Sequence, residues 1–321
     1  MKTQKSWLVW VLLLAGGMPW CHAQPNTGPQ TMLLDGADWW LVQDPEADGL
    51  PFSCWQSPQT CGQPTPVPRI IQDIFPGYHG VAWYFKNFTA PANPHPQGRY
   101  LLRFWAADYL AKVWFNNNSI QYVGQHEGGE DPFQFDVTSF IQSGSENHLA
   151  VRILNPTDEP INGITLAEIP HRDNYGGITD SVELRLVPAL YIEDMHLHPD
   201  PQTGLVSIQV TVKNTLATTV TANLDCTIAG DSPIASPLSQ TLAPGTTVIE
   251  SQLAVENPRL WDTNDPYLYT LAARLWQDGS SSYDTQSVRF GFRDFRYDNG
   301  YFRLNGKRIY LRGSLITNWL Y

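Results

Sequence analysis

The chain has 321 residues, a formal net charge of −11 and 42% hydrophobic residues. That apolar content is enough to build folded cores, which argues against an intrinsically disordered chain. The acidic balance, without any block of Lys or Arg, argues against nucleic acid and anionic membrane surfaces as partners. The 25 Pro and 24 Gly residues are typical of many short strands joined by tight turns.

The first 23 residues have the pattern of an export signal. Lys2 and Lys5 precede an apolar run from Trp7 to Ala15, which is too short to span a bilayer. Ala23 supplies the small residue expected at a cleavage position. Lipid attachment at Cys21 is the weaker alternative, because bulky residues precede it. We therefore predict cleavage after Ala23 and a periplasmic or secreted protein that is not held in a membrane.

Export gives the cysteines a specific meaning. Cys54 and Cys61 bracket a short loop, and in an oxidising compartment such a pair commonly forms a disulfide. A metal site would need two further Cys or His ligands close by, and the neighbouring sequence does not supply them. Cys226 lies in an alternating stretch and is expected to be a buried, unreactive thiol. We predict no metal site and no cofactor.

The first half of the chain reads as a series of strands. Residues 24–79 are Pro-rich and irregular apart from Trp39 to Val42, and we expect them to pack over the edge of a sandwich. From Gly80 to Val187, strands follow each other without helical periodicity, which predicts an antiparallel sandwich. The predicted strands lie at 81–85, 100–105, 111–115, 133–135, 148–154 and 182–186.

A second β unit begins after Pro188. About a hundred residues with seven or so short strands fit an immunoglobulin-like sandwich, although Cys226 alone cannot form the disulfide typical of that fold. The predicted strands lie near 191–197, 205–212, 219–228, 246–253, 267–275 and 283–290.

The residues after Gly291 predict a small hairpin. Asn299-Gly300 and Asn305-Gly306 are strong tight-turn dipeptides, and a strand over Ile309–Gly313 follows them. A single strand of this kind cannot bury its own faces. We expect these last residues to be loosely held and the chain to be a truncated piece of a longer protein.

Short motifs follow one another in a fixed order along these units. In the first unit they are Ala82-Trp83-Tyr84, Asp108 to Trp114, Gly124 to Gly129, Pro132 to Thr138, Asn147 to Val151 and Gly176-Gly177-Ile178. In the second they are Pro258 to Trp261, Pro266 to Tyr269, Gly291-Phe292-Arg293, Leu304-Asn305-Gly306 and Leu311-Arg312-Gly313. Together they resemble glycoside hydrolase family 2, the family of β-galactosidases, β-glucuronidases and β-mannosidases.

The resemblance implies an all-β fold with three parts after the signal peptide of residues 1–23. These are a jelly-roll sugar-binding domain at 24–188, an immunoglobulin-like β-sandwich at 189–291, and at 292–321 the first hairpin and strand of a TIM barrel that is otherwise absent. It also implies a β-glycosidase acting on a carbohydrate substrate. Such enzymes use two carboxylates about 5–5.5 Å apart when they retain configuration. In the family both are glutamates on later barrel strands, so no residue of this chain is predicted to be catalytic.

One loop is predicted to contact the sugar. In family relatives the loop before the last jelly-roll strand reaches the mouth of the active site, and here it runs from Asn155 to Tyr175. Its Asp158, Asp173 and Asn174 are predicted to bind substrate, because carboxylates and amides hydrogen-bond to sugar hydroxyls. The alternative is that they are ordinary residues of a solvated loop.

Aromatic and histidine residues have mainly structural interpretations. Aromatic residues in alternating strands are expected in the core, namely Trp83, Trp105, Trp114, Phe133 and Phe135. Three outside regular patterning are expected to form a lid on the sandwich, with an exposed platform as the alternative, namely Trp39, Trp40 and Trp55. The segment from His126 to Glu130 lacks the second histidine of a zinc protease motif, and His196 and His198 lack a third metal ligand.

Two functions besides the glycosidase stay open from the sequence. One is a free-standing carbohydrate-binding protein made of the same two sandwiches, and the other is a cell-surface adhesion protein built from generic β modules. The barrel-entry motifs from Asn305 to Gly313 favour the glycosidase, because a finished binding protein has no use for them. The sequence predicts neither the sugar nor the oligomeric state.

Overall fold

The computed structural model describes residues 28–116, 119–156, 175–229, 234–280 and 283–313. In these ranges the chain forms two β-sandwiches and a terminal hairpin, which confirms the predicted all-β class. Among the described residues, no helix combines the length and the apolar character needed to cross a membrane.

The first sandwich packs two antiparallel sheets face to face. Its elements are β1 (Gln30–Leu33), β2 (Gly36–Asp44), α1 (Phe52–Gln56), a 3₁₀ turn (Pro58–Thr60), β3 (Gln63–Val67), β4 (Arg69–Ile70), α2 (Ile71–Ile74), β5 (Gly80–Thr89), β6 (Arg99–Phe104), β7 (Leu110–Asn116), β8 (Ile120–Glu127), β9 (Phe133–Asp136), β10 (Glu146–Asn155), β11 (Gly177–Ile178) and β12 (Val182–Val187). One sheet has the order β3-β2-β5-β10-β7-β8, the other has the order β1-β12-β6-β9, and β11 pairs with β4. The core between the two sheets is apolar and includes the fully buried Trp39, Tyr84, Phe104 and Phe115.

The segment before Gly80 is more regular than the sequence predicts. Strand β2 pairs along the inner strand β5, and Trp39 is completely buried with its Nε1 donating to Leu34 O at 2.8 Å. Strand β3 carries Pro64 and Pro66, which lack the N–H that a central strand needs. It therefore occupies the edge of the sheet, where one side needs no ladder partner. The two prolines therefore hide the strand pattern in the sequence, although they do not prevent an edge strand from forming.

In the described residues the second sandwich has seven strands, the number expected, although the sequence analysis located no strand at 234–242. They are β13 (Leu190–Pro199), β14 (Leu205–Asn214), β15 (Val220–Ile228), β16 (Ile234–Leu242), β17 (Gly245–Ala254), β18 (Tyr269–Trp276) and β19 (Tyr283–Phe290). The sheet β13-β14-β17 faces the sheet β16-β15-β18-β19. Alternation along β14 places Val206, Ile208, Val210 and Val212 in the core, and Cys226 is buried with them. Burial raises the pKa of Cys226 to about 11, so its thiol stays protonated and unreactive, as predicted.

The two sandwiches are joined by a short apolar contact. Leu101 and Val187, on the outer face of the four-stranded sheet of the first sandwich, pack against Tyr191 at the start of β13. All three are buried. Beyond the contact a groove lies between the sandwiches, bordered on the first one by Arg103, Trp105 and Gln134.

The terminal hairpin forms as predicted, but the strand after it does not. Strands β20 (Phe295–Asp298), β21 (Tyr301–Leu304) and β22 (Lys307–Arg308) make a three-stranded sheet. Asn299-Gly300 and Asn305-Gly306 form its two-residue turns, with all four residues at positive φ. Residues 309–313 lie in no strand, although Ile309 N still donates to Phe302 O of β21 at 2.9 Å.

The expectation that the residues after Gly291 are loosely held is wrong for the first of them. Phe292 is completely buried in the core of the second sandwich, and Leu304 is buried at the base of the hairpin. Asn305 Nδ2 also donates to Trp261 O at 3.0 Å. Apolar burial and hydrogen bonding therefore anchor the hairpin to the second sandwich.

Candidate functional site

The three residues predicted to bind sugar lie outside the described part of the chain. Asp158, Asp173 and Asn174 belong to residues 157–174, and their proposed contact with substrate stays a prediction. Both flanks of this segment are described. It leaves the carboxyl end of β10, inside the six-stranded sheet, and rejoins the described chain just before β11. The geometry given below is therefore that of the two flanks.

The two flanks meet in a small polar cluster, which we call the loop-root cluster, made of Gln72, His79, Asn155 and Gly176. Gln72 Nε2 donates to Asn155 Oδ1 at 2.9 Å, and His79 Nδ1 lies at the same distance from that oxygen. An amide oxygen only accepts, so His79 must carry its hydrogen on Nδ1. Gly176 N donates to Gln72 Oε1 at 3.2 Å. One glutamine side chain thus holds both flanks.

Close packing explains why position 176 is a glycine. A Cβ atom added to Gly176 would lie 2.4 Å from the Cβ of Asn155, which no side-chain adjustment could relieve. The carbonyl of Gly176 accepts from Ile71 N at 2.7 Å, at the first residue of α2. Ile71 is completely buried, which anchors the helix that carries Gln72. The flanks are held by backbone, side chain and core contacts together.

Acidic side chains lie beside the cluster. Asp108 exchanges two backbone hydrogen bonds with Gly177, of 2.8 Å and 2.7 Å. Its carboxyl group is half-buried, and burial, with a smaller effect of the Glu130 charge, raises the pKa of Asp108 to about 6. A Cβ on Gly129 would lie 2.7 Å from this carboxyl group, so glycine leaves it room. Asp108 can therefore hold a proton under mildly acidic conditions.

A tyrosine and a glutamate beside Asp108 extend this edge. Tyr109 Oη donates to Glu127 Oε1 at 2.9 Å, and that hydrogen bond raises the pKa of Tyr109. Carboxylates, amides and a phenol thus line the edge where residues 157–174 are attached. This set can accept and donate hydrogen bonds to hydroxyl groups, which is the chemistry of a polyol ligand. The described residues bring together no group of three or more side chains able to hold a metal ion.

A disulfide-bearing segment covers the outer face of the six-stranded sheet. Cys54 in α1 is bonded to Cys61, with their Cα atoms 5.7 Å apart. Between them, Trp55 packs edge-on against Trp83 and Trp114, with ring centroids at 5.0 Å and 6.3 Å. Trp83 Nε1 donates to the buried Asp44 at 2.9 Å, which satisfies its polar atom. The predicted lid is confirmed for Trp55, and the disulfide closes the loop that carries it.

The other predictions for aromatic residues are partly confirmed and partly wrong. The lid prediction is wrong for Trp39, which is buried in the core between the two sheets. Trp40 packs against the cluster under the lid, so neither residue is an exposed platform. Phe133 and Phe135 pack against the core as expected. The expectation for Trp105 is wrong, because 43% of its surface is exposed at the end of β6. Trp105 is the last residue of an apolar run, and the groove between the sandwiches opens beside it.

Two members of the loop-root cluster escaped the sequence analysis. Gln72 and His79 lie in the segment interpreted as irregular, where no periodicity or motif distinguishes them. Their partner Asn155 is 83 and 76 residues away in sequence. The pairing of β10 with β5 and of β11 with β4 brings these positions together. His196 and His198 are exposed neighbours on β13, with ring centroids 4.6 Å apart, as their spacing predicts.

Comparison with known proteins identifies the domains. Residues 25–188 match the sequence profile of the glycosyl hydrolases family 2 sugar binding domain, and residues 190–293 match that of glycosyl hydrolases family 2. The chain belongs to glycosyl hydrolases family 2. Its loop-root cluster and the attached segment 157–174 accordingly lie within the sugar binding domain of this family.

Relatives of this family 2 chain are much longer than it is. It is 28% identical to a β-galactosidase of Halalkalibacterium halodurans, over 77% of this chain and 23% of that protein. It is 27% identical to a β-glucuronidase of Paenibacillus borealis, over 86% of this chain and 47% of that protein. A β-glucuronidase of Bacteroides uniformis shares the fold, with a TM-score of 0.73 and 24% identity over 89% of this chain and 35% of that one. The chain thus spans less than half the length of these relatives.

Proposed function

We propose that this chain is the substrate-binding amino-terminal part of an exported β-glycosidase. The catalytic carboxylates lie outside this chain. The observation that carries the proposal is the match to two successive family 2 profiles over residues 25–188 and 190–293. Relatives named β-galactosidase and β-glucuronidase, which are much longer than the chain, support it. The reaction is hydrolysis of an O-glycosidic bond in a carbohydrate, by the two-carboxylate mechanism that such enzymes use.

In this proposal the sandwich domains bind and position the substrate. Residues 157–174 present Asp158, Asp173 and Asn174 to sugar hydroxyls, and the loop-root cluster holds the two ends of the segment. A segment with fixed ends loses less conformational freedom on binding than one with free ends, so more of its interaction energy goes into affinity. The half-buried Asp108 lies beside the same edge and can add a hydrogen bond to a hydroxyl group.

Export is part of the proposal. The leader pattern of residues 1–23 supports cleavage after Ala23 and a periplasmic or secreted protein. The bond between Cys54 and Cys61 is of the kind that persists in oxidising compartments. Sequencing of the mature amino terminus tests this point directly, with Gln24 as the expected first residue.

The activity is tested by comparing the chain with a longer form of the protein. We expect the chain alone to hydrolyse no nitrophenyl β-glucuronide, β-galactoside or β-mannoside, because both catalytic carboxylates are expected elsewhere. A form extended through the downstream coding sequence is expected to hydrolyse at least one of them. Failure of the extended form on all three would favour the alternative of a carbohydrate-binding protein without catalysis. Turnover by the chain alone would show that it carries its own reaction centre.

A further inference from the structure

A groove of about 380 Å³ lies between the two sandwiches and shares no lining residue with the loop-root cluster. Its first wall is the outer face of the sheet β1-β12-β6-β9, and its second wall is formed by β13 and β19. The volume is within the range of small-molecule sites in proteins, roughly 300–1,000 Å³. Nothing in the proposed role of residues 157–174 uses this groove.

The first wall combines an exposed aromatic ring with polar groups. Trp105 is 43% exposed, and the guanidinium of Arg103 lies 5.4 Å from its ring centre. Arg103 Nη2 donates to Gln134 Oε1 at 3.0 Å, and its Nη1 lies 3.7 Å from a carboxylate oxygen of Glu183. Phe133, which packs against the core and stacks on the buried Phe104, borders this wall. The polar groups are held in place, and the Trp105 ring extends beyond them.

The second wall adds carboxylates and small polar groups. It presents Glu193, Asp194 and Met195 from β13, and Gln286 and Ser287 from β19. Gln286 Nε2 donates to the carbonyl oxygen of Ile192, which ties β19 to β13. Because the sandwiches are also joined by the buried contact of Leu101 with Tyr191, the two walls have a defined spacing.

The composition of the groove points to one class of ligand. Two carboxylates, on Glu193 and Asp194, and one cation, Arg103, line the groove, and Arg103 is already paired with Glu183, so phosphate and other anions are disfavoured. A purely apolar ligand would leave these polar groups without partners. A pyranose ring has an apolar face that suits Trp105 and a rim of hydroxyls that suits amides and carboxylates. A neutral oligosaccharide satisfies both walls.

We propose that the groove beside Trp105 is a binding site for a neutral oligosaccharide. The inference takes carbohydrate as its ligand class from the proposed function, but it involves other residues and can fail separately. The site would hold part of a glycan chain between the two sandwiches, with a sugar ring on Trp105. Binding requires both domains, since each supplies one wall.

The test is a binding titration of the purified chain with cellotetraose, xylotetraose, mannotetraose and β-1,4-galactotetraose, by calorimetry and saturation-transfer NMR. At least one is expected to bind. Trp105→Ala should weaken that binding by about tenfold or more, because it removes the aromatic surface. Ser287→Trp, which fills the groove from the other wall, should also abolish it. Phe52→Ala is the matched control, an aromatic residue on α1 with 59% of its surface exposed, and should leave binding unchanged.

Each outcome decides the proposal. Loss of binding in both groove variants, with unchanged circular dichroism and the control intact, supports it. Absence of binding to all four oligosaccharides overturns it, as does binding that neither groove variant reduces. If binding survives both groove variants but is lost in Asp173→Ala, the groove is wrong and the role of residues 157–174 stands. If the groove variants lose binding while Asp173→Ala leaves turnover of the extended protein unchanged, the groove stands and the proposed loop role fails.

Discussion

Gln72 and Asn155 are 83 residues apart in sequence, yet the side-chain amide of one donates to the amide oxygen of the other at 2.9 Å. Asn155 is completely buried, and it also accepts from His79. The contact joins α2 to the end of β10, where residues 157–174 begin. A buried acceptor shared by two donors is costly to remove, because two partly buried hydrogen bonds are lost at once.

We therefore expect Asn155→Ala to lower the free energy of unfolding by about 1–3 kcal/mol. Urea denaturation followed by circular dichroism measures the change. The matched control is Asn223→Ala, which removes an exposed hydrogen bond to Asp278 and should cost no more than about 0.5 kcal/mol. Equal losses in the two variants would contradict a structural role for the loop-root cluster.

Asp284 gives the second sandwich a pH-dependent stability. It is completely buried, and that burial raises its pKa to about 6, against the lowering effects of hydrogen bonds from Ile192 N and Thr285 N and of nearby arginines. The folded state therefore binds the Asp284 proton more tightly than the unfolded state does. This contribution to stability is fully present below the unfolded pKa, near pH 4, and is lost as pH rises through about 6.

Asp284→Asn should make the fall in stability between pH 4 and pH 7 shallower than in the unmodified protein. Asparagine stays neutral and keeps an acceptor oxygen for Ile192 N. A tenfold difference in proton affinity between the folded and unfolded states corresponds to about 1.4 kcal/mol of stability. Urea unfolding at several pH values measures the slope, with the exposed Asp48→Asn as control. Parallel curves for Asp284→Asn and the unmodified protein would refute the prediction.

Removal of the disulfide should destabilise the first sandwich without preventing it from folding. The loop between Cys54 and Cys61 is short, with a sequence separation of 7. Closing a loop of that size stabilises by about 2–3 kcal/mol in the chain-entropy treatment. The double variant with alanine at both positions should show this loss in denaturant unfolding, and Trp55 should become more accessible to fluorescence quenchers. Non-reducing peptide mapping that finds both thiols free in exported protein would contradict the pairing.

Asp173→Ala tests the sugar-binding role of residues 157–174. In the extended, active form of the protein, we expect the variant to lower kcat/KM for small aryl glycosides by about tenfold or more, as loss of a hydrogen bond to a charged group predicts. Its melting temperature should stay nearly unchanged. Asp48→Ala, an exposed carboxylate elsewhere on the same domain, is the control. Unchanged kcat/KM would assign Asp173 to an ordinary solvated loop, and a large loss of stability would make it structural.

Phe292 should contribute more to stability than its position after the last sandwich strand suggests. It is completely buried, and its ring packs edge-on against Tyr269 with centroids 5.3 Å apart. Phe292→Ala is expected to cost about 3–5 kcal/mol. A chain ending at Phe290 should accordingly be less stable than one ending after the hairpin, as thermal unfolding can show. Phe302→Ala, on the half-exposed hairpin, is the control. Equal stability of the two chain lengths would place Phe292 outside the cooperative core.

Local patterns in the sequence determined much of this molecule. Alternating apolar residues predicted most strands of both sandwiches, because successive side chains of a strand point to opposite faces of the sheet. Strands β8 and β16 were missed. Asn-Gly dipeptides predicted both hairpin turns, because positive φ is a property of the residues themselves. The ordered motifs from Ala82 to Arg293 resembled one family and led to the family that the profiles identify.

Tertiary structure decided what depends on distant partners. Strand β2 is regular because β5 lies beside it, although prolines nearby hide the pattern. Gln72 and His79 become a site only where β10 ends, and neither has a local signature. The predicted burial was wrong at Trp105 and at Phe292, in opposite directions. Local sequence placed Trp105 in the core and Phe292 in a loosely held segment. Burial depends on what covers a side chain, and at both positions that is settled by how the sandwiches and hairpin pack.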